Sequence, residues 1–148
     1  MKFKTVNTII SAFSLIVGLV ATSTGQAAQV TGSLGSSLVS ADTWTFTCPT
    51  GTIQSRIRIM DLNTTVNLNA IVYATFGEDG NPSLTVSDSE STSTGSAFAT
   101  NTSDGPGNYS LLVRKSAINT DDYVAEAQCL DSSGAVIGPL RLVAQINQ

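Results

Sequence analysis

Past the first two dozen residues, apolar side chains recur at every second position in short runs, each broken by Gly, Pro, Asn or Asp. A period of two marks half-buried strands, because successive side chains point to opposite faces of a sheet. In residues 42–48, Trp44, Phe46 and Cys48 share one face and Thr43, Thr45 and Thr47 the other, before Pro49 and Gly51 turn the chain. Residues 52–62 set Ile53, Ser55, Ile57 and Ile59 against Gln54, Arg56, Arg58 and Met60. The two arginines alternate with isoleucines and read as a solvated face. Residues 68–76 are apolar on both faces, with Leu68, Ala70 and Val72 against Ile71 and Tyr73, as suits a strand in the middle of a sheet pair.

Residues 83–87 and 97–100 are shorter strand candidates. Residues 109–115 send Tyr109, Leu111 and Val113 inward, and residues 123–130 gather Tyr123, Ala125, Ala127 and Cys129 on one face. Residues 135–137 and 140–146 supply the last two runs. Turn formers fill 49–51, 63–67, 77–82, 101–108, 119–122 and 131–134, and residues 88–96 read as a long polar loop. Helical spacing never recurs over a useful length beyond residue 28. The pattern predicts an all-β fold, a single β-sandwich or jelly roll of about 7–9 mostly antiparallel strands.

The N-terminus reads differently. Lys2 and Lys4 precede an apolar stretch at 9–20, and small polar residues follow, so the segment reads as a signal peptide cut near Ala27 or Ala28. The stretch is well short of the roughly 20 residues that span a bilayer. The expected division is a signal peptide over 1–28, a flexible leader or edge strand over 29–40, and the sandwich domain over 41–148. The mature protein is then secreted or periplasmic, with no membrane association after signal removal.

That compartment gives the cysteines a meaning. Cys48 and Cys129 are the only two in the chain, and an oxidising environment favours one internal disulfide over an intermolecular bond or two buried thiols. Closing so long a loop stabilises a fold by about 4 kcal/mol on the chain-entropy account. Trp44 and Phe46, in phase with Cys48, are the expected core anchor.

Removing Lys2 and Lys4 leaves five basic residues against eleven acidic ones, a net charge near −6. Such a charge excludes a nucleic-acid partner and disfavours anionic lipid. The chain has no histidine, which removes Ser-His-Asp and Cys-His catalysis and histidine metal sites. No phosphate-binding glycine pattern is present. The carboxylates lie on open polar segments with no cause for a raised pKa, so glycosidase chemistry is not expected and the chain reads as no enzyme.

Calcium, which takes loop carboxylates and carbonyls, is the one possible cofactor. Glu78, Asp79 and Asn81 are the best local candidates, with Asp88 or Asp104 beside them, although solvated turn residues are the simpler reading. Tyr73, Phe76 and Phe98 are candidate flat faces for sugar. Asn63, Asn101 and Asn108 lie in N-x-[ST] sequons.

Three segments together resemble a known family. Asp42-Thr43-Trp44-Thr45-Phe46 before the Pro49-x-Gly51 turn, the apolar strand 68–74, and Gly107-Asn108-Tyr109-Ser110-Leu111-Leu112-Val113 resemble the bacterial pre-peptidase C-terminal domain. The resemblance covers roughly residues 41–130, and its motifs are short. It implies a compact β-sandwich that serves exported enzymes as an accessory, targeting or substrate-binding module, in some members with calcium. The Cys48/Cys129 pair is not a hallmark of that family. The expected function is a secreted, non-enzymatic binding or accessory module whose partner is a polysaccharide or a protein. The alternative is a structural or surface-assembly subunit, pilin-like or matrix-forming.

Overall fold

The structure, a computed structural model, describes residues 27–62, 71–81, 83–89 and 94–138 in full and the backbone of 141–147. These residues form nine strands and no helix: β1 (Ala28–Leu34), β2 (Ala41–Cys48), β3 (Gln54–Asp61), β4 (Val72–Glu78), β5 (Leu84–Asp88), β6 (Ala99–Asn101), β7 (Gly107–Lys115), β8 (Asp121–Leu130) and β9 (Arg141–Asn147). They pair into a four-stranded sheet, β1-β8-β3-β6, and a five-stranded sheet, β5-β4-β7-β2-β9. Every pairing is antiparallel. The two sheets pack face to face as a β-sandwich, the fold that the alternating runs predict.

Strict alternation decides which side chains fill the space between the sheets. In β2, Asp42, Trp44, Phe46 and Cys48 are buried and the threonines face outward. In β7, Tyr109, Leu111, Val113 and Lys115 are buried, and β8 contributes Asp121, Tyr123, Ala125, Ala127 and Cys129. At the centre the Phe76 ring stacks on Tyr109, with centroids 5.2 Å apart, and meets Phe46 edge-on at 6.4 Å. These are the offset and edge geometries that aromatic quadrupoles favour. Cys48 and Cys129 form a disulfide with Cα atoms 5.8 Å apart, and it joins the end of β2 in one sheet to the end of β8 in the other.

The same alternation carries polar groups inward, where they meet groups of the opposite sheet. Trp44 Nε1 donates to the Tyr123 hydroxyl at 2.9 Å, and that hydroxyl donates to Asp42 Oδ2 at 2.7 Å. Burial, reinforced by the bond to Asp42, holds the Tyr123 phenol well above its usual pKa, so it stays protonated as a donor. Lys115 Nζ donates to Leu34 O at 3.3 Å and to Gly35 O, and it lies 3.8 Å from Asp121 Oδ2. Both side chains of that ion pair are fully buried.

Strand β1 covers the first of these networks. Its Gly32 lies opposite Tyr123 in the register. A Cβ there would sit 2.6 Å from Asp42 Oδ2 and as close to the Tyr123 ring carbon Cζ. Only glycine lets the β1 backbone approach so near, which explains a glycine inside a strand.

Several sequence expectations need correction. Asp88 ends β5, Asn101 ends β6, Gly107 and Asn108 open β7, and Asp121 and Asp122 open β8, where the sequence pattern predicts a loop or turns. Ile53 is 42% exposed, not inward with Ile57 and Ile59, because Thr52 donates both its amide and its hydroxyl to Pro49 O and so prolongs the turn. Gly77 and Glu78 belong to β4 and not to a turn. A Cβ on Gly77 would meet Ser83 at 2.9 Å, so the glycine serves a close backbone approach. Part of the expected strand at 68–76 and the turn at 63–67, with the Asn63 sequon, lie outside the described residues.

Two stability measurements follow from this packing. Cys48→Ser should lower stability by about 2–5 kcal/mol, since it frees a loop of 81 residues in the unfolded chain; a denaturant midpoint equal to the parent's would contradict the staple. Gly32→Ala should cost more than about 2 kcal/mol through overpacking against Asp42 and Tyr123. A thermal melt that matches the parent's would show that β1 does not press on the buried network.

Candidate functional site

The turn at the end of β4 and the loop after β6 meet at the disulfide end of the sandwich, where sequence reasoning placed most candidate ligands. The structure brings Glu78, Asp79, Asn81 and Asp104 into one region and leaves Asp88 out. Asp88 pairs with Val72 at the far end of β4, about 20 Å from Glu78 at strand rise. There Asp88 accepts the amide of Asp61 at 2.9 Å and so ties β5 of one sheet to β3 of the other.

The remaining carboxylates are occupied by the protein itself. Asp104 accepts the Ser55 hydroxyl on Oδ2 and the Asn101 side-chain amide on Oδ1 at 2.6 Å. Glu78 Oε2 accepts the Gly105 amide at 2.9 Å and the Asn81 side-chain amide at 2.6 Å. Asp79 Oδ1 accepts the Ser110 hydroxyl at 3.1 Å. A calcium ion needs six or more converging oxygens. Among the described residues no three His, Cys, Asp or Glu side chains gather as a metal site. The residues present do not fit calcium. They fit a loop clasp.

Tyr109 completes the clasp. Its hydroxyl donates to Gly105 O at 2.7 Å, four residues upstream, in the manner of the tyrosine corner of β-sandwiches. Burial and the nearby charges of Asp104 and Glu78 hold its phenol above the usual range. Asp104, 3% exposed, has its carboxyl raised above the ordinary 3.8: burial and the Glu78 charge raise it, against the lowering by Ser55 and Asn101.

The aromatic candidates part company. Trp44, Phe46 and Phe76 are core residues. Phe98 lies over the outer face of the four-stranded sheet, between the guanidinium groups of Arg56 at 4.5 Å and Arg58 at 4.7 Å. That face is closed by its own pairs. Arg56 Nε donates to Gln128 at 2.5 Å, Arg58 binds Glu126 at 2.5 Å, and Gln128 bonds Glu126 at 2.6 Å. The arginines expected on a solvated face are instead held by a ring, a carboxylate and an amide.

Tyr73 alone among the candidate rings faces outward from the five-stranded sheet. Arg114, directly across on β7, places its guanidinium 5.7 Å from the ring centroid. Around the pair stand Thr43, Thr45 and Thr47 on β2, Thr75 on β4, Thr85 and Ser87 on β5, and Ser110 and Leu112 on β7, all on the outward phase of their strands. Thr75 and Thr85 hydroxyls lie 3.0 Å apart. The threonine phase of β2 was visible in the sequence. The Tyr73–Arg114 pair was not, because only the register of β4 on β7 brings them together.

Asp104→Asn tests the electrostatics of the clasp. A carboxyl whose folded pKa is raised contributes stability below its ordinary value, and that contribution is lost as pH rises through the folded value. The variant should therefore gain on the parent as pH rises from the ordinary carboxylate value toward neutrality. Parallel melting temperatures across that range would contradict the raised carboxyl. No family model, no curated protein and no solved structure matches the chain.

Proposed function

We propose that the mature chain is an extracytoplasmic, non-catalytic binding or accessory module of the kind its resemblance to pre-peptidase C-terminal domains implies. The observation that carries this reading is the contrast between the two outer faces. One is closed by the Arg56–Phe98–Arg58–Glu126–Gln128 network. On the other, β2, β4, β5 and β7 present among their described outward residues seven short hydroxyl side chains with Tyr73 and Arg114. The disulfide supports placement outside the cytoplasm, whether secreted or periplasmic. The internal bonding of Glu78, Asp79 and Asp104 supports a non-enzymatic role, since each carboxylate is engaged in holding loops.

A second reading, a surface-assembly subunit, draws on a different feature. Leu38, Val39 and Ile118 are 51%, 84% and 70% exposed in the β1–β2 and β7–β8 loops. Lys115 joins the roots of those loops by its bond to Gly35 O. Concentration-dependent assemblies in light scattering, reversed by Val39→Ser, would support this reading. A strict monomer at all concentrations would remove it.

The module reading is tested by interferometry of the oxidised mature protein against immobilised polysaccharides and exported proteins. Saturable, reversible binding without turnover of the bound polymer is the expected result. Absence of binding across the panel would overturn the reading, as would hydrolysis of a polymer that is lost on substituting a loop carboxylate.

A further inference from the structure

We propose that the outward face of β5-β4-β7-β2 is a binding surface for a neutral polysaccharide, with Tyr73 as its stacking ring and Arg114 as its orienting donor. This rests on the module reading above and names the ligand class and the residues. The registers set out the surface in cross-strand rows. One row runs Thr43, Leu112, Thr75, Thr85, and the next runs Ala41, Arg114, Tyr73, Ser87. Adjacent positions in a row are about 4.8 Å apart and rows about 6.7 Å apart, from strand spacing and twice the residue rise. Short hydroxyls stand at Thr43, Thr75 and Thr85 in the first row and at Ser87 in the second, where they flank Leu112, Arg114 and Tyr73.

Tyr73 stands among shorter neighbours. Ser87 is beside it on β5 and Thr75 is two residues along β4, so the phenol outreaches both and offers its ring to a ligand lying on the sheet. Arg114 flanks the ring on its other side and carries five donors in a fixed fork, suited to ring and hydroxyl oxygens. A flat aromatic beside directed donors is the usual means of holding a partly apolar, polyhydroxylated molecule.

Charge and hydrogen-bonding capacity select the ligand class. Threonine and serine hydroxyls both donate and accept, as sugar hydroxyls do, so either orientation of the ligand finds partners. Arg114 is the one basic side chain among the described residues of this face, and Asp79, at its rim, already accepts from Ser110. An anionic polymer would call for several cations, and the chain as a whole is acidic. A protein partner would call for an apolar centre, and on these four strands Leu112, 37% exposed, is the one large aliphatic side chain on the outward phase, with only the small Ala41 beside it.

Affinity electrophoresis of the oxidised mature protein provides the test, in gels containing soluble starch, hydroxyethyl cellulose, galactomannan or, as the anionic arm, alginate. At least one neutral polymer should retard the parent, and alginate should not. Tyr73→Ala should weaken that binding about tenfold, the worth of one aromatic contact, and Arg114→Ala should weaken it severalfold. Thr85→Glu, on the exposed edge strand, tests the same face without touching the core and should also weaken binding. Gln29→Ala, on the outer edge of the other sheet, should bind as the parent does.

Retardation by a neutral polymer that Tyr73→Ala and Thr85→Glu both retain would overturn the surface while leaving the module reading intact. Retardation by alginate alone, or binding only to a protein in the interferometry panel, would overturn the ligand class and again leave the module reading intact. No binding in either experiment would overturn both.

Discussion

Tyr123 rises from the four-stranded sheet and places its hydroxyl between two groups of the five-stranded sheet, the Asp42 carboxylate and the Trp44 indole. Both bonds are buried, and one is made to a carboxylate, a class worth about 1.5–3 kcal/mol net. Removing the hydroxyl would strand a buried acceptor and a buried donor at once, which costs more than the bonds themselves contribute. The remaining architecture accommodates this contact. β1 must carry glycine at position 32 to lie over it, and Lys115 then fastens the end of the same strand through the carbonyls of Leu34 and Gly35. The disulfide adds a covalent inter-sheet tie at the opposite end of β2.

With the sheets locked from within, their outer faces are released from structural duty to different degrees. On the four-stranded sheet the long side chains of β3 and β8 still bond one another, and Phe98 is held between two arginines. On β2 and β5 of the five-stranded sheet the outward side chains are mostly short hydroxyl residues with little to bury. A rigid sheet whose residues are positioned by its ladder is a better platform for recognition than a loop, because backbone pairing sets the spacing of its side chains. The loops that looked richest in chemistry are instead held shut by Glu78, Asp104 and Tyr109.

The alternation of apolar residues made the sandwich legible from sequence, and Trp44, Phe46 and Cys48 on one phase marked β2 and its inward face. The same parity also held the positions that were missed. Asp42 is in phase with Trp44, Lys115 with Val113, and Asp121 with Tyr123, and all three are buried. Charge argued for solvent at those positions and periodicity argued for the core. Periodicity prevailed because each group finds a partner across the sandwich. What the sequence could not show was register. Whether Asp88 joins Glu78, or Arg114 meets Tyr73, depends on which residues stand opposite across non-local strand pairs, and alternation is silent on that. Gly77 misled for a related reason: a glycine needed for close approach to Ser83 looks the same in sequence as one needed for a turn.

The Asp42–Tyr123 contact couples the two sheets. A double-mutant cycle with Asp42→Ala, Tyr123→Phe and the combined variant measures this directly through unfolding free energies. A coupling of at least about 1 kcal/mol is predicted for a buried, charge-assisted bond. Additivity within about 0.3 kcal/mol would contradict it, and the disulfide with apolar packing would then be sufficient to hold the sandwich.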